Sequence, residues 1–248
     1  MTVLLSDSFT ETTNTALTSH TPEVGSTWAI GSGTWTVYEA TDSLGTDALD
    51  FCWNNVSFSS PDAYTQVTGR TGGTATQDQF GACVRSTAFA RNNASANRYY
   101  CLVNGLGTVY MSKEVAGVST QLGTEYTISG FSASTDYLIR LWVDGSSINV
   151  DIDGVTRISA TDTAVTAAGF SGTHSRNGNS RVTLINAGLL AQPLLSEALS
   201  SRKRRPGNSS GPLGRSFYKS PAAYTNTISP INVSLFVKNN ILIGGGNV

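Results

Sequence analysis

Short runs that alternate polar and apolar residues recur through residue 189, and residues typical of turns separate them. Residues 34–38 (TWTVY) and 147–152 (SINVDI) show the two-residue period of a half-buried strand. Asp144-Gly145 and Asp153-Gly154 flank the second run, and Asp-Gly pairs suit the positive φ angles of two-residue hairpin turns. Since this region has no convincing 3.6-residue helical period, the pattern predicts an all-β fold.

The number of runs also predicts how the strands pack. About a dozen short strands cannot form one sheet with an apolar face exposed, so we expect a two-sheet antiparallel sandwich over residues 1–189. The clearest predicted strands are residues 34–38, 64–68, 80–84, 98–103, 108–112, 126–128, 137–143, 147–152, 155–158 and 181–185.

The chain changes character after residue 189. Residues 1–189 contain 16 acidic and 9 basic residues, a net charge of −7, whereas residues 190–248 contain 1 acidic and 7 basic residues, a net charge of +6. Residues 206–214 form a Pro/Gly/Ser linker, and the second part cannot bury enough apolar surface to fold alone. We therefore predict an extended basic C-terminal arm at residues 190–248 that neighbouring subunits hold in place.

The arm contains a basic block at residues 202–205 and a strand-like run at residues 231–237. The block could dock on an acidic neighbour, remain a solvated linker, or contact nucleic acid; docking is favoured, and nucleic acid is not an expected partner. The run could extend the sheet of a neighbouring subunit. The predicted anchoring residues are Arg202, Lys203, Arg204, Arg205, Phe217, Tyr218, Ile231, Val233, Leu235 and Val237.

Composition excludes several classes of site. Cys52, Cys83 and Cys101 have no paired spacing, so we expect buried free thiols in a reducing cytosol. No apolar run reaches about 18 residues and the N-terminus lacks a secretory signal, so no membrane partner is expected. Loop aspartates show no spaced ligand set for calcium. We predict neither a metal site nor a cofactor.

Several segments resemble a known family. Residues 7–10 (DSFT), 17–28 (LTSHTPEVGSTW) and 33–37 (GTWTV) resemble the opening of concanavalin A-like (laminin G-like) jelly-roll domains in tailed-bacteriophage virion structural proteins. The hairpin at residues 137–152 and residues 168–172 (AGFSG) continue the likeness, which covers about residues 5–189. The resemblance implies a jelly roll with a concave face, and a place in capsid decoration, head–tail connection or the tail surface.

Enzymes with this fold include glycoside hydrolases of the laminarinase type, which carry a Glu-x-Asp-x-x-Glu arrangement. Retaining hydrolysis requires two carboxyl groups about 5–5.5 Å apart. The six glutamates of this chain are widely separated, and we expect Asp151 and Asp153 to form a solvated hairpin end. His20 is expected to cap a turn or pack, and His174 to lie in a polar loop. We predict no catalytic residues.

The leading hypothesis is a non-enzymatic virion protein, most simply a capsid decoration protein. It would be made in the host cytoplasm, form a homo-oligomer, and attach to the major capsid protein through its arm. A tail or adaptor subunit bound to tail proteins is the near alternative. A hypothesis of another class is a carbohydrate-binding module that recognises host glycans. Its candidate binding residues are Trp53, Tyr64, Tyr99 and Tyr110, for each of which core packing is the competing role.

Overall fold

A computed structural model describes residues 1–41, 43–46, 50–87, 93–177 and 179–190, with the backbone alone for Asp50 and Trp53. The predicted arm lies outside the described residues apart from Leu190. The ten anchoring residues and the division at residue 189 therefore stay predictions.

The described residues form sixteen strands, joined by loops and two short 3-10 helices at Leu17–Ser19 and Glu39–Thr41. No helix in these ranges is long and apolar enough to cross a membrane. The strands are β1 Thr2–Asp7, β2 Thr15–Ala16, β3 Trp28–Ile30, β4 Trp35–Tyr38, β5 Ser43–Thr46, β6 Asp50–Asn54, β7 Ala63–Arg70, β8 Gln79–Ser86, β9 Arg98–Asn104, β10 Thr108–Val115, β11 Val118–Thr127, β12 Tyr137–Asp144, β13 Ser147–Ile152, β14 Val155–Thr161, β15 Phe170–Arg176 and β16 Arg181–Leu189.

The strands pair into two antiparallel sheets. Sheet A has the order β14-β13-β12-β7-β16-β5-β4-β2, with β1 also paired to β16. Sheet B has the order β11-β10-β9-β8-β15-β6-β3. The prediction of an all-β, two-sheet antiparallel sandwich is confirmed.

Apolar side chains fill the space between the sheets. Val67 and Leu141 of sheet A and Phe80 and Cys101 of sheet B are fully buried in one continuous cluster. All three cysteines are free and buried, as the sequence predicts. Burial raises the pKa of Cys83 and Cys101 to about 12, so both thiols are protonated at neutral pH and behave as small apolar side chains.

The hairpin predictions hold with one adjustment. Asp153 and Gly154 both have positive φ, at 49° and 80°, and form the two-residue turn between β13 and β14. The preceding turn begins one residue later than predicted, because Asp144 still pairs with Ser147 and leaves Gly145 in the turn with φ 56°.

The loop prediction for His174 was wrong. His174 lies in β15, which pairs with β6 on one side and β8 on the other, and its side chain is fully buried. The sequence of β15, FSGTHSR, has too few apolar residues to show strand alternation. The strands β6 and β8 on either side of β15 bury its side chains, and the local sequence pattern does not predict this burial.

The side of sheet B that faces away from sheet A holds a small second cluster. Phe51, Cys83, Tyr100 and Leu102 are all buried there. On the same face, Arg98 Nε lies 2.9 Å from Glu114 Oε2, and both side chains are fully buried. A buried cation without its anion is strongly unfavourable, so this ion pair makes the face sensitive to charge changes.

Glu114→Gln is expected to lower the free energy of unfolding by about 3–5 kcal/mol, because it removes the buried carboxylate that faces the Arg98 guanidinium at 2.9 Å. The matched change in an exposed pair is Asp136→Asn, which removes a partner of Arg70 at 3.3 Å. That change should cost about 0–1 kcal/mol because water screens the pair. Denaturant unfolding of both variants measures the difference, and equal losses would contradict the assigned burial.

Candidate functional site

The four aromatic residues predicted to bind glycan do not lie together. Tyr99 is fully buried between the sheets, where its hydroxyl donates to Asp162 Oδ1 at 2.7 Å. Burial raises the pKa of Tyr99 to about 12. Tyr110 is half-buried against the second cluster of sheet B, Trp53 contributes backbone to β6, and Tyr64 lies on sheet A outside the core.

Tyr64 belongs to a compact group on the side of sheet A that faces away from sheet B. Strand register places Trp142 opposite both Tyr64 and Asn149, and Arg140 opposite both Gln66 and Asp151. The result is two adjacent rows across β7, β12 and β13. We call this group the sheet-A patch; its members are Tyr64, Gln66, Arg140, Trp142, Asn149 and Asp151.

Side-chain parity explains why these residues face outward. Along β12, Ile139, Leu141 and Val143 enter the core, so Arg140 and Trp142 between them point to the opposite face. The partner strands follow the same alternation, which leaves Tyr64 and Gln66 of β7 on the outer side. The inward packing of the apolar residues therefore builds the patch.

Arg140 lies against both aromatic rings of the patch. Its guanidinium carbon is 5.2 Å from the centre of the Tyr64 ring and 5.9 Å from that of the Trp142 ring. These distances permit cation–π attraction. The Tyr64 residue is only 6% exposed, whereas Trp142 and Arg140 are half-buried. Burial raises the pKa of Tyr64, against the opposing effect of the Arg140 charge.

Asp151 fixes the position of the Trp142 ring. The indole Nε1 donates to both carboxylate oxygens of Asp151 at 3.1 Å, and Thr156 Oγ1 donates to Oδ1 at 2.7 Å. Arg140 Nη1 is more distant, at 3.9 Å from Asp151 Oδ2. Arg140 Nη2 also lies 3.9 Å from Met1 Sδ, and Nε is buried, so the donors that Arg140 offers to a ligand are its Nη hydrogens.

Two amide side chains complete the patch. Asn149 Oδ1 accepts from Ser159 Oγ at 2.7 Å, which leaves its Nδ2 without a partner among the described residues. Gln66 is half-buried and has no side-chain hydrogen bond within the described ranges. A fixed aromatic ring beside amide and guanidinium groups can contact a ligand that has both apolar faces and hydroxyl groups.

Sequence reasoning predicted only Tyr64 as a binding residue and missed the other five members, although a signal was present for four of them. The predicted strands at residues 137–143 and 147–152 place Arg140 with Trp142, and Asn149 with Asp151, on common faces. The Asp-Gly turn joins these strands as a hairpin. Only the pairing of β12 with β7, which is distant in sequence, brings Tyr64 and Gln66 beside them.

The patch contains a single carboxylate. Asp153, which the sequence paired with Asp151, lies in the turn, where Oδ1 accepts from Leu138 N at 3.1 Å. Asp151 itself is 7% exposed rather than solvated. The described residues contain no group of three His, Cys, Asp or Glu side chains that could hold a metal ion. The arrangement therefore suits binding rather than two-carboxylate hydrolysis.

A second cluster of ionisable groups lies at the end of the N-terminal strand β1. His20 Nε2 lies 2.9 Å from both oxygens of Asp7, and His20 Nδ1 lies 2.6 Å from Glu11 Oε1. Trp28 Nε1 and Phe9 N also donate to Asp7, at 2.7 and 2.8 Å. His20 thus links two carboxylates and packs, as the sequence predicts, inside the fold.

Burial opposes the charged form of His20, but its bonds to Glu11 and Asp7 outweigh that effect and raise the pKa above 6.5. Protonated imidazole donates from both nitrogens, whereas the neutral form donates from one only. Asp7 and Glu11 therefore both accept a hydrogen bond from His20 only when the imidazole is protonated.

Comparison with known proteins supports the fold. No protein-family model and no curated protein matches the chain. Among solved structures, a Bacillus subtilis protein of unknown function with a galectin-like fold has a TM-score of 0.52 at 13% identity, over 67% of this chain and 90% of that one. The carbohydrate-binding module CBM66 from Bacillus subtilis has a TM-score of 0.51 at 17% identity, over 64% and 92% of the two chains.

The Bacillus licheniformis β-glucanase also has a TM-score of 0.51, at 8% identity, over 72% of this chain and 99% of that one. Identities this low show the fold alone. The predicted jelly-roll architecture is confirmed. The predicted likeness to phage virion proteins has no counterpart among these three structures and stays a prediction.

The free energy of unfolding is expected to fall as the pH rises from 6.5 through the raised pKa of His20. A raised pKa in the folded state means that the stabilisation from protonated His20 is complete below pH 6.5 and is lost as the pH rises through the folded pKa. Denaturant unfolding across this range measures the slope. His20→Gln should flatten it, and a wild-type slope retained in that variant would contradict the assignment.

Proposed function

We propose that this chain is a non-catalytic carbohydrate-binding module that binds glycan on the sheet-A patch. The observation that carries the proposal is the juxtaposition of the half-buried Trp142 ring with the amides of Gln66 and Asn149 and the guanidinium of Arg140. The fold likeness to CBM66, a carbohydrate-binding module, supports the same class.

Each part of the patch has a distinct task in this proposal. The Trp142 ring provides a flat apolar surface for the C–H face of a sugar ring. The Gln66 amide and the Arg140 guanidinium donate to sugar hydroxyls, and the Gln66 amide oxygen accepts from them. Asp151 holds the indole in place before the ligand arrives, which reduces the conformational entropy lost on binding.

The proposal excludes hydrolysis at the patch. A retaining glycosidase needs a second carboxyl group about 5–5.5 Å from the first, and an inverting enzyme needs one at about 6.5–9.5 Å. The sheet-A patch provides Asp151 alone, and that carboxylate is engaged by Trp142 and Thr156.

Trp142→Ala is expected to weaken glycan binding by about tenfold or more, because truncating a central aromatic contact removes much of the binding energy. A glycan array identifies the ligand with the full-length chain, and titration calorimetry then measures the dissociation constant. Trp142→Phe should retain part of the affinity, since it keeps an aromatic surface but loses the donor to Asp151.

The matched control is Tyr126→Ala. Tyr126 is also a half-buried aromatic residue beside an arginine, with the Arg157 guanidinium carbon 5.0 Å from its ring centre, but it is not part of the patch. Its loss should leave the affinity unchanged. Equal effects of Tyr126→Ala and Trp142→Ala, or a wild-type chain that binds no glycan on the array, would refute the proposal.

We further propose that the module is displayed on a phage virion as a capsid decoration protein, or as a tail or adaptor subunit in the alternative. The observation that favours this role is the contrast between a body of net charge −7 and a terminal segment of net charge +6. Opposite charges favour attachment of the arm to an acidic neighbour, either a capsid or tail protein or another copy of the chain.

Removing residues 191–248 is expected to abolish co-sedimentation of the protein with particles, because the anchor is lost while the described strands remain. Raised salt should release the intact protein in part, since screening weakens ionic contacts. Circular dichroism checks that the shortened chain folds. If the shortened chain sediments as before, the arm is not the anchor.

A further inference from the structure

A cavity of about 300 Å³ lies at the end of the sandwich where β7 begins and β12 ends. Three connections meet there: the segment before β7, the turn between β12 and β13, and the loop between β14 and β15. We call it the Arg85 pocket. The lining residues that matter here are Asp62, Arg85, Gly145, Ser146, Thr163 and Thr166.

The guanidinium of Arg85 donates a hydrogen bond to each of the three connections. Its Nε donates to Pro61 O at 2.8 Å, its Nη1 to Val165 O at 2.6 Å, and its Nη2 to Gly145 O at 3.0 Å. Each carbonyl belongs to a different connection. Arg85 is 3% exposed, so these bonds are shielded from water and hold the walls of the pocket in fixed positions.

Arg85 also has an uncommon backbone conformation. Its φ is 53°, in the left-handed region that side-chain-bearing residues seldom adopt. The conformation occurs at a bulge, where the register of β8 against β15 shifts between Phe170 and Gly172. Strain of this kind persists only where the surroundings impose it, and it is concentrated at functional sites.

The walls combine a largely apolar surface with a few polar groups, which suits an uncharged ligand that has both C–H faces and hydroxyl groups. Arg85 Nη2 lies 3.5 Å from Asp62 Oδ1, so the one cation and the one anion among the described lining residues balance each other. Asp62 Oδ1 also accepts from Gly145 N at 2.8 Å, which orients the carboxylate. Thr163 and Thr166 are exposed and add hydroxyls that both donate and accept.

The pocket borders the sheet-A patch. Asp62 precedes Tyr64 by two residues, and Gly145 follows Trp142 by three, on two strands that pair at this end through Ala63 and Val143. Two residues of a strand span about 6.6 Å. A chain of sugar units lying over the patch therefore has one end next to the pocket.

We propose that the Arg85 pocket binds the terminal monosaccharide unit of a glycan whose following units lie over the sheet-A patch. The inference rests on the proposed carbohydrate-binding function and adds an end-specific mode of recognition. The carboxylate of Asp62 accepts from hydroxyls of the terminal sugar, and the threonine hydroxyls bind the remainder.

The test uses the full-length chain and five free monosaccharides as probes: D-glucose, D-galactose, D-mannose, D-fructose and N-acetyl-D-glucosamine. Saturation-transfer-difference NMR at millimolar concentrations detects weak binding. We expect one of these sugars to bind, and Thr166→Trp, which fills the pocket from an exposed position, to weaken it about tenfold or more.

Thr161→Trp is the matched control, because Thr161 is an exposed threonine at the end of β14 outside the pocket. Loss of binding in Thr166→Trp but not in Thr161→Trp supports the inference. Binding that survives Thr166→Trp, or that is lost equally in Thr161→Trp, overturns it.

The two proposals fail in distinguishable ways. If the array finds an oligosaccharide that requires Trp142 but none of the five monosaccharides binds, the pocket inference is wrong and the patch function stands. If a monosaccharide binds in a Thr166-dependent manner but Trp142→Ala has no effect on any glycan, the pocket is a sugar site and the patch is not.

Discussion

Face-to-face packing of two antiparallel sheets is the interaction on which the other features of this protein depend. An antiparallel sheet with one apolar face must bury that face, and here Val67 and Leu141 of sheet A oppose Phe80 and Cys101 of sheet B in one continuous core. Side chains alternate along each strand, so the same packing decides which residues remain outside. The sheet-A patch is the outward half of strands whose inward half forms the core.

The two candidate binding surfaces are related through the same strands. β7 and β12 carry the aromatic residues of the patch and lead directly into the connections that line the Arg85 pocket. A regular sheet holds Tyr64 and Trp142 in fixed register, whereas the pocket relies on buried bonds from Arg85 to three carbonyls. The sheet-A patch, which regular strands hold in place, therefore lies next to the Arg85 pocket, which loops form.

Local patterns predicted the architecture where a strand is half-buried and failed where burial comes from distant neighbours. The run at residues 137–143 alternates clearly and corresponds to β12. Residues 170–176 contain small and polar side chains and form β15, because β6 and β8 enclose them. Aromatic residue type was also an insufficient guide. Tyr99 and Tyr64 both lie in strands, yet one is in the core and the other faces outward.

The sequence by itself determined the all-β class, the hairpin from β12 through β14, the buried thiols and the charge contrast at residue 189. These features depend on neighbours in sequence or on composition. Only the tertiary structure decided that β12 pairs with β7, which brings Tyr64 beside Trp142, and that Arg85 of sheet B bonds to Gly145 in a turn of sheet A. Both contacts join residues far apart along the chain, and pairing between distant strands is selected by burial of the whole core rather than by any local pattern.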